Sequence, residues 1–252
     1  HTFNNSCSGN RNNATAWEPG SGSTIMSYSG ICAPNVKNAS DAFFHGGNLL
    51  ETRNFTVNGN GNTCPEKLVT GNQLPQVSAG LNYTIPRSTP FELEASASDP
   101  DGDALTYSWE QYDNQIATMP PVNTNGTGPT FRSFPPDTVP VRVFPNLMAV
   151  LGGTSPTWEV LPSVARLLNF RVTVRDNHPG HGLWAQDAMQ ITVDGTSGPF
   201  TVTAPNTSVT WRVGDTVSVT WNRANTHVAP VSADRVDIWL SLDGGYHYPV
   251  LL

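Results

Sequence analysis

Four stretches in the middle of the chain alternate apolar and polar residues: FELEASA, ALTYSWEQ, LNFRVTVRD and AMQITVDG. A period of two sends successive side chains to opposite faces, so each stretch is expected as a half-buried strand. Gly, Pro, Asn and Asp stand between them, as in the loop NHPGHGLWAQD. These residues favour turns, and long runs of helical period are scarce, so the chain reads as mainly β.

Strands with one apolar face need a second layer to cover it. The four fit an antiparallel β-sandwich of immunoglobulin type over residues 76–196, with Trp109 on a middle strand facing the core. The Pro-rich stretch from Asp113 to Ala165 is expected as an insertion lying on the sandwich surface. Near Pro199 a second module begins, with FTVTAP, TVSVTWN and VDIWLSLDGG as its strands. Residues 197–252 hold about half of a sandwich of roughly 100 residues, so this module is expected to be truncated. Residues 1–75 are loop-rich. One helix is expected there, capped by Ser40, running through Asp41–Phe44 and again across Leu49–Thr52.

The 252 residues carry a net charge of -7. That balance offers no basic patch to neutralise phosphates and argues against nucleic-acid binding. No apolar run reaches the length of a bilayer-spanning helix. The chain starts at HTFNN and ends at YHYPVLL, which reads as a piece of a longer protein.

Cys7, Cys32 and Cys64 are the three cysteines. Their spacing is too wide for a zinc knuckle. Cys7 and Cys32 flank one loop and are the preferred disulfide; Cys64 paired with one of them is the alternative. A disulfide implies an oxidising setting, so the protein is expected to be secreted or on the cell surface.

The loop between those cysteines contains GSGSTIMSYSG, Gly20–Gly30. Met26 stands in a run of Gly, Ser and Thr, 25 residues after His1 and two before Tyr28. An unbranched apolar side chain can fill an irregular gap, and the glycines let the backbone turn tightly.

HTFNNSCSGNRNNATAWEPGSGSTIMSYSGIC resembles the stretch from the third zinc-binding His to the Met-turn in secreted, reprolysin-like metallopeptidases of the metzincin clan. The resemblance implies the C-terminal edge of a metzincin α+β catalytic domain over residues 1–75, followed by the immunoglobulin-like modules. It makes His1 a zinc ligand and Met26 the floor beneath the Zn²⁺. It makes the Tyr28 hydroxyl a donor to the metal or to the oxyanion of the tetrahedral intermediate. Ser29, Gly30 and Ile31 would wall the pocket for the substrate residue after the scissile bond. The H-E-x-x-H helix, with two further His and the general base Glu, is absent from this sequence. A catalytic zinc needs three protein ligands, so this chain is expected to be inactive alone although its parent is an enzyme.

Asp99, Asp101 and Asp103 fall at alternate positions in SDPDGDALTYSW. Hard carboxylate oxygens converging in a turn suit Ca²⁺, and the pattern is similar to the D-P-D-G-D turn of cadherin-like and polycystic-kidney-disease-type modules. Asp176, ending another strand, could complete that site. Against this, D-P and D-G are good turn formers without any metal. The two histidines of His178-Pro179-Gly180-His181 lack further ligands and read as a polar loop tip.

Two functions follow. The first is a secreted zinc metalloendopeptidase that cleaves peptide bonds with zinc-activated water, its sandwiches binding substrate, extracellular matrix or glycan. The second is a non-catalytic cell-surface adhesion protein whose immunoglobulin-like modules bind glycan or protein.

Overall fold

The computed structural model describes residues 1–7 and 9–252. The chain is mainly β. The N-terminal region holds two short strands, β1 (Phe3–Asn4) and β2 (Glu18–Pro19), paired in parallel, and one α-helix, α1 (Gly46–Arg53). The helix starts later than Ser40. Its N-cap is His45, whose ring Nδ1 accepts the Gly47 N–H (3.0 Å). Asp41 is engaged elsewhere: its carboxylate pairs with Lys37 and, at 3.1 Å, with Arg132.

The central region carries β3 (Gln76–Ser78), β4 (Tyr83–Pro86), β5 (Phe91–Glu94), β6 (Ser96–Ser98), β7 (Thr106–Gln111) and β8 (Val141–Phe144). Helix α2 (Leu147–Leu151) follows, then β9 (Arg166–Arg175) and β10 (Trp184–Asp194). One sheet has the order β4-β10-β9-β7, with β4 parallel to β10 and the other pairs antiparallel. Ala95 alone separates β5 from β6, so β8, paired with β5, and β3, paired with β6, flank one nearly continuous run.

The core lies where the alternation places it. Leu168, Phe170, Val172 and Val174 of β9 are wholly buried, and Met189, Ile191 and Val193 of β10 join them. Leu93 of β5 and Phe144 of β8 enter the same cluster from the other pairing. Phe91 and Phe144 stack with ring centroids 4.9 Å apart. Trp109 is buried and donates its indole N–H to Pro140 O (2.9 Å). Its strand β7 stands at the edge of the four-stranded sheet rather than in the middle.

The stretch from Asp113 to Ala165 is more than a surface insertion. It supplies strand β8 and places Phe131 and Phe144 in the core. Residues 197–252 form two small antiparallel ladders, β11 (Thr201–Ala204) with β12 (Thr220–Asn222) and β13 (Trp239–Leu240) with β14 (Val250–Leu251). Trp211, Val213, Trp239 and Leu242 are exposed there. Among the described residues no helix is long and apolar enough to cross a membrane.

Candidate functional site

The N-terminal strands bring His1 and the Met26 loop together. Thr2 N–H donates to Met26 O (3.3 Å), Glu18 N–H to Thr2 O (2.8 Å) and Asn4 N–H to Gly20 O (3.1 Å). These bonds align the first residues along the loop. Tyr28 Oη then lies 3.1 Å from His1 Nε2, with the two rings edge-on and their centroids 4.6 Å apart. Phe3 packs against both rings. Of the residues singled out in sequence, His1, Met26 and Tyr28 thus converge.

Met26 is 42% exposed, so it is not filling a gap in the core. Ser29 turns its hydroxyl inward, donating to Gly22 O (3.1 Å) and Lys37 O (3.4 Å). Gly30 has φ +81°, and a Cβ there would stand 2.1 Å from Asn38 O, so only glycine fits. Ile31 is 76% exposed and open to a partner.

Glu18 is the residue that sequence reasoning missed. Its buried carboxylate lies inside the loop. Oε1 accepts the N–H of Ser23 (2.8 Å) and of Thr24 (3.1 Å), and Oε2 accepts the Thr24 hydroxyl (2.6 Å). A carboxylate accepting several donors fixes a turn that Gly and Ser would leave mobile. The Cys7–Cys32 disulfide closes the base of the region, its Cα atoms 5.0 Å apart, and leaves Cys64 free and exposed. The signal for Glu18 was slight: one acidic residue immediately before a Gly/Ser run rich in free N–H donors.

The loop also meets the central β region. Asn4 Nδ2 donates to Gln115 O (2.9 Å), Ser23 Oγ to Ser133 O (3.3 Å), and Arg132 pairs with Asp41. Further along, Gly46 N–H donates to Glu110 Oε2 (2.7 Å) and Arg175 Nη2 to Phe44 O (3.1 Å). His45 and Glu110 are wholly buried at this junction.

A catalytic zinc needs three protein ligands. His1 supplies one. Among the described residues, the one cluster of His, Cys, Asp and Glu with converging ligand atoms is elsewhere. The donors of this chain therefore do not by themselves fit a zinc ion.

That other cluster is Asp99, Asp101 and Asp103, each offering an oxygen within 4.8 Å of the others. Asp99 Oδ1 accepts the N–H of Asp101 (2.9 Å) and of Asp103 (3.1 Å), which curls the turn. Gln73 donates its backbone N–H (2.7 Å) and side-chain amide (2.9 Å) to Asp101, holding that carboxyl below the usual range. Asp103 Oδ2 lies 2.8 Å from His178 Nδ1. Oxygen donors of this kind suit Ca²⁺ better than Zn²⁺.

Asp176 does not join the cluster. It is buried and saturated, accepting the N–H of His178 (3.1 Å) and Leu183 (2.8 Å) and the Asn72 amide (2.8 Å). Its work is to close the turn between β9 and β10. His178 and His181 lie with ring centroids 6.0 Å apart in that turn. Comparison with known protein families, with curated proteins and with solved structures finds no match for this chain.

Proposed function

We propose that the chain is part of a secreted zinc metalloendopeptidase of the metzincin type. Residues 1–75 are the C-terminal part of its catalytic domain, 76–196 an immunoglobulin-like sandwich and 197–252 a second module. One observation carries the reading: residues 27 positions apart in sequence, His1 and Tyr28, meet at 3.1 Å beside the Met26 loop. A tyrosine hydroxyl at that distance from an imidazole can donate to a developing oxyanion next to the same ring. The exposed Ile31 beside it offers an apolar surface to a peptide substrate. The disulfide supports an oxidising compartment. The pairings β4-β10-β9-β7 and β5-β8 support the immunoglobulin type, with the parallel β4–β10 contact at one edge. The Asp99–Asp103 turn is the proposed Ca²⁺ site.

The reading requires two further His and a Glu from sequence preceding His1. Reading the ~15 residues encoded upstream, the length of the family's zinc motif with a margin, tests it. H-E-x-x-H-x-x-G-x-x directly ahead of His1 is the expected result. A different sequence there would sink the peptidase and leave a non-catalytic module that binds glycan or protein.

A further inference from the structure

Gly20 opens the Met26 loop with φ +54°, and the ring of Trp158 occupies the side where a Cβ would point. A Cβ at Gly20 would stand 2.6 Å from Trp158 Cζ3 and Cη2, and 2.8 Å from Pro34 O. The two residues belong to different units, and Trp158 is in the stretch between β7 and β9 of the sandwich. Trp158 is itself held firmly. Its carbonyl accepts the Arg132 N–H (2.9 Å). Its neighbour Glu159 takes Arg142 Nη2 (3.2 Å), and Arg142 Nη1 reaches Trp109 O (2.5 Å) on β7. A continuous line of contacts therefore runs from the sandwich core to the loop.

We propose that Trp158 is a positioning residue of the candidate site, through which the sandwich holds the Gly20–Gly30 loop so that Tyr28 stands against His1. The sandwich is then a working part of the site, not a detachable module. The physical reason is that site geometry is as good as the side chains that support it. Glu18 fixes the far end of the loop from within, through Ser23 and Thr24. Trp158 fixes the near end from outside, and Gly20 carries its effect directly into the ladder, because Gly20 O is the acceptor for Asn4 N–H. Between them Ser21 O accepts Tyr28 N–H (2.9 Å), which sets where the phenol lies. The use of this brace in catalysis rests on the peptidase reading; the brace itself does not.

The test is NMR on the chain as it stands, with Trp158→Ala, Trp158→Phe and Trp158→Leu. Two signals are read: the nuclear Overhauser contact between the His1 and Tyr28 rings, and amide exchange. In Trp158→Ala the ring contact is lost. Exchange at Asn4 and Tyr28 speeds up about tenfold or more, while Val172 and Val174 of β9 keep their protection. Trp158→Phe restores the contact, since a smaller aromatic ring still covers Gly20. Trp158→Leu, which removes the ring but keeps an apolar side chain in its place, reproduces the loss and decides the matter if Trp158→Ala does not fold. An unchanged ring contact in Trp158→Ala, or in Trp158→Leu where that variant decides, overturns the proposal. None of these signals uses zinc or activity. A missing upstream zinc motif would therefore remove the peptidase and leave the brace standing, whereas silent variants would remove the brace and leave the peptidase.

Discussion

Glu110 and His45 face each other in a wholly buried gap, with Oε1 3.8 Å from Nε2 and neither atom hydrogen-bonded among the described residues. Burial pushes the Glu110 carboxyl up from 4.5 to about 7, against the pull of the Gly46 N–H and of Arg175 and Arg142. Burial pushes the His45 imidazole down from 6.5 to about 4, against the attraction of Glu18 and with the help of Arg175 and Arg171. The raised carboxyl contributes stability that is present below pH 4.5 and lost as pH rises through 7. The lowered imidazole contributes stability present above pH 6.5 and lost as pH falls through 4. Between 4.5 and 6.5 the two slopes cancel, because folded and unfolded chains each carry one proton on the pair. Glu110→Gln removes one slope. The variant should lose stability relative to wild type on acidification from pH 6.5 to 4.5, at up to about 1.4 kcal/mol per pH unit. Urea unfolding at several pH values reads this, and parallel curves for the two proteins would refute it.

The disulfide makes a second prediction. It closes a span of 25 residues around the Met26 loop. By loop entropy it stabilises the folded state by about 3 kcal/mol. Cys7→Ser with Cys32→Ser should lower stability by that order and increase exchange in the loop. Without reductant, the folded protein should alkylate at one position, the exposed Cys64. Labelling at Cys7 or Cys32 would contradict the pairing.

How much of this was legible in the sequence follows from which forces act locally. Strands β7, β9 and β10 were readable because burial of one face writes a two-residue period into the chain. The helix start was misread because Ser40-Asp41 has the chemistry of a cap, while Asp41 is occupied by Lys37 and Arg132. Arg132 lies 91 positions away, and no local pattern announces it. Trp109 was correctly placed in the core, but the strand order that puts β7 at an edge is a property of the whole sheet. The Asp113–Ala165 stretch looked like an ornament because its core residues, Phe131 and Phe144, lack a period. At the site, His1, Met26 and Tyr28 were named from the resemblance of residues 1–32 to the metzincin Met-turn stretch. Glu18 acts on Ser23 and Thr24, five and six positions on, and only an acidic residue ahead of a Gly/Ser run marks it; Trp158 acts on the distant Gly20, and nothing in its local sequence marks it.

Calcium is the third prediction. If Asp99, Asp101 and Asp103 bind Ca²⁺, a melt in excess calcium should exceed one in EGTA. The gain is about 2.7 kcal/mol at a hundred times the dissociation constant. Asp101→Asn should abolish the difference, since it removes charge from the centre of the triad. Asp176→Asn should lower stability with and without calcium alike, because Asp176 serves three internal donors and stands outside the triad. Equal melting temperatures in calcium and EGTA would count against the site.

The fourth prediction concerns the hydroxyl that meets His1. In the complete enzyme that the proposed function requires, Tyr28→Phe keeps the ring packing on Phe3 and removes only the group 3.1 Å from His1 Nε2. A donor that acts on charge developing in the transition state should appear mainly in kcat, whereas one that binds substrate and transition state alike should appear in KM. Loss of one such donor typically costs about a hundredfold or more in kcat. Tyr28→Phe should therefore lower kcat by that order with a smaller change in KM and an unaltered melting temperature. Met26→Leu is the companion variant: it keeps an apolar side chain and the backbone carbonyl that accepts Thr2 N–H. It should leave the Tyr28 contact intact, so kcat should fall far less than in Tyr28→Phe. An unchanged kcat in Tyr28→Phe would reduce the His1–Tyr28 contact to packing and take the oxyanion role away from this tyrosine.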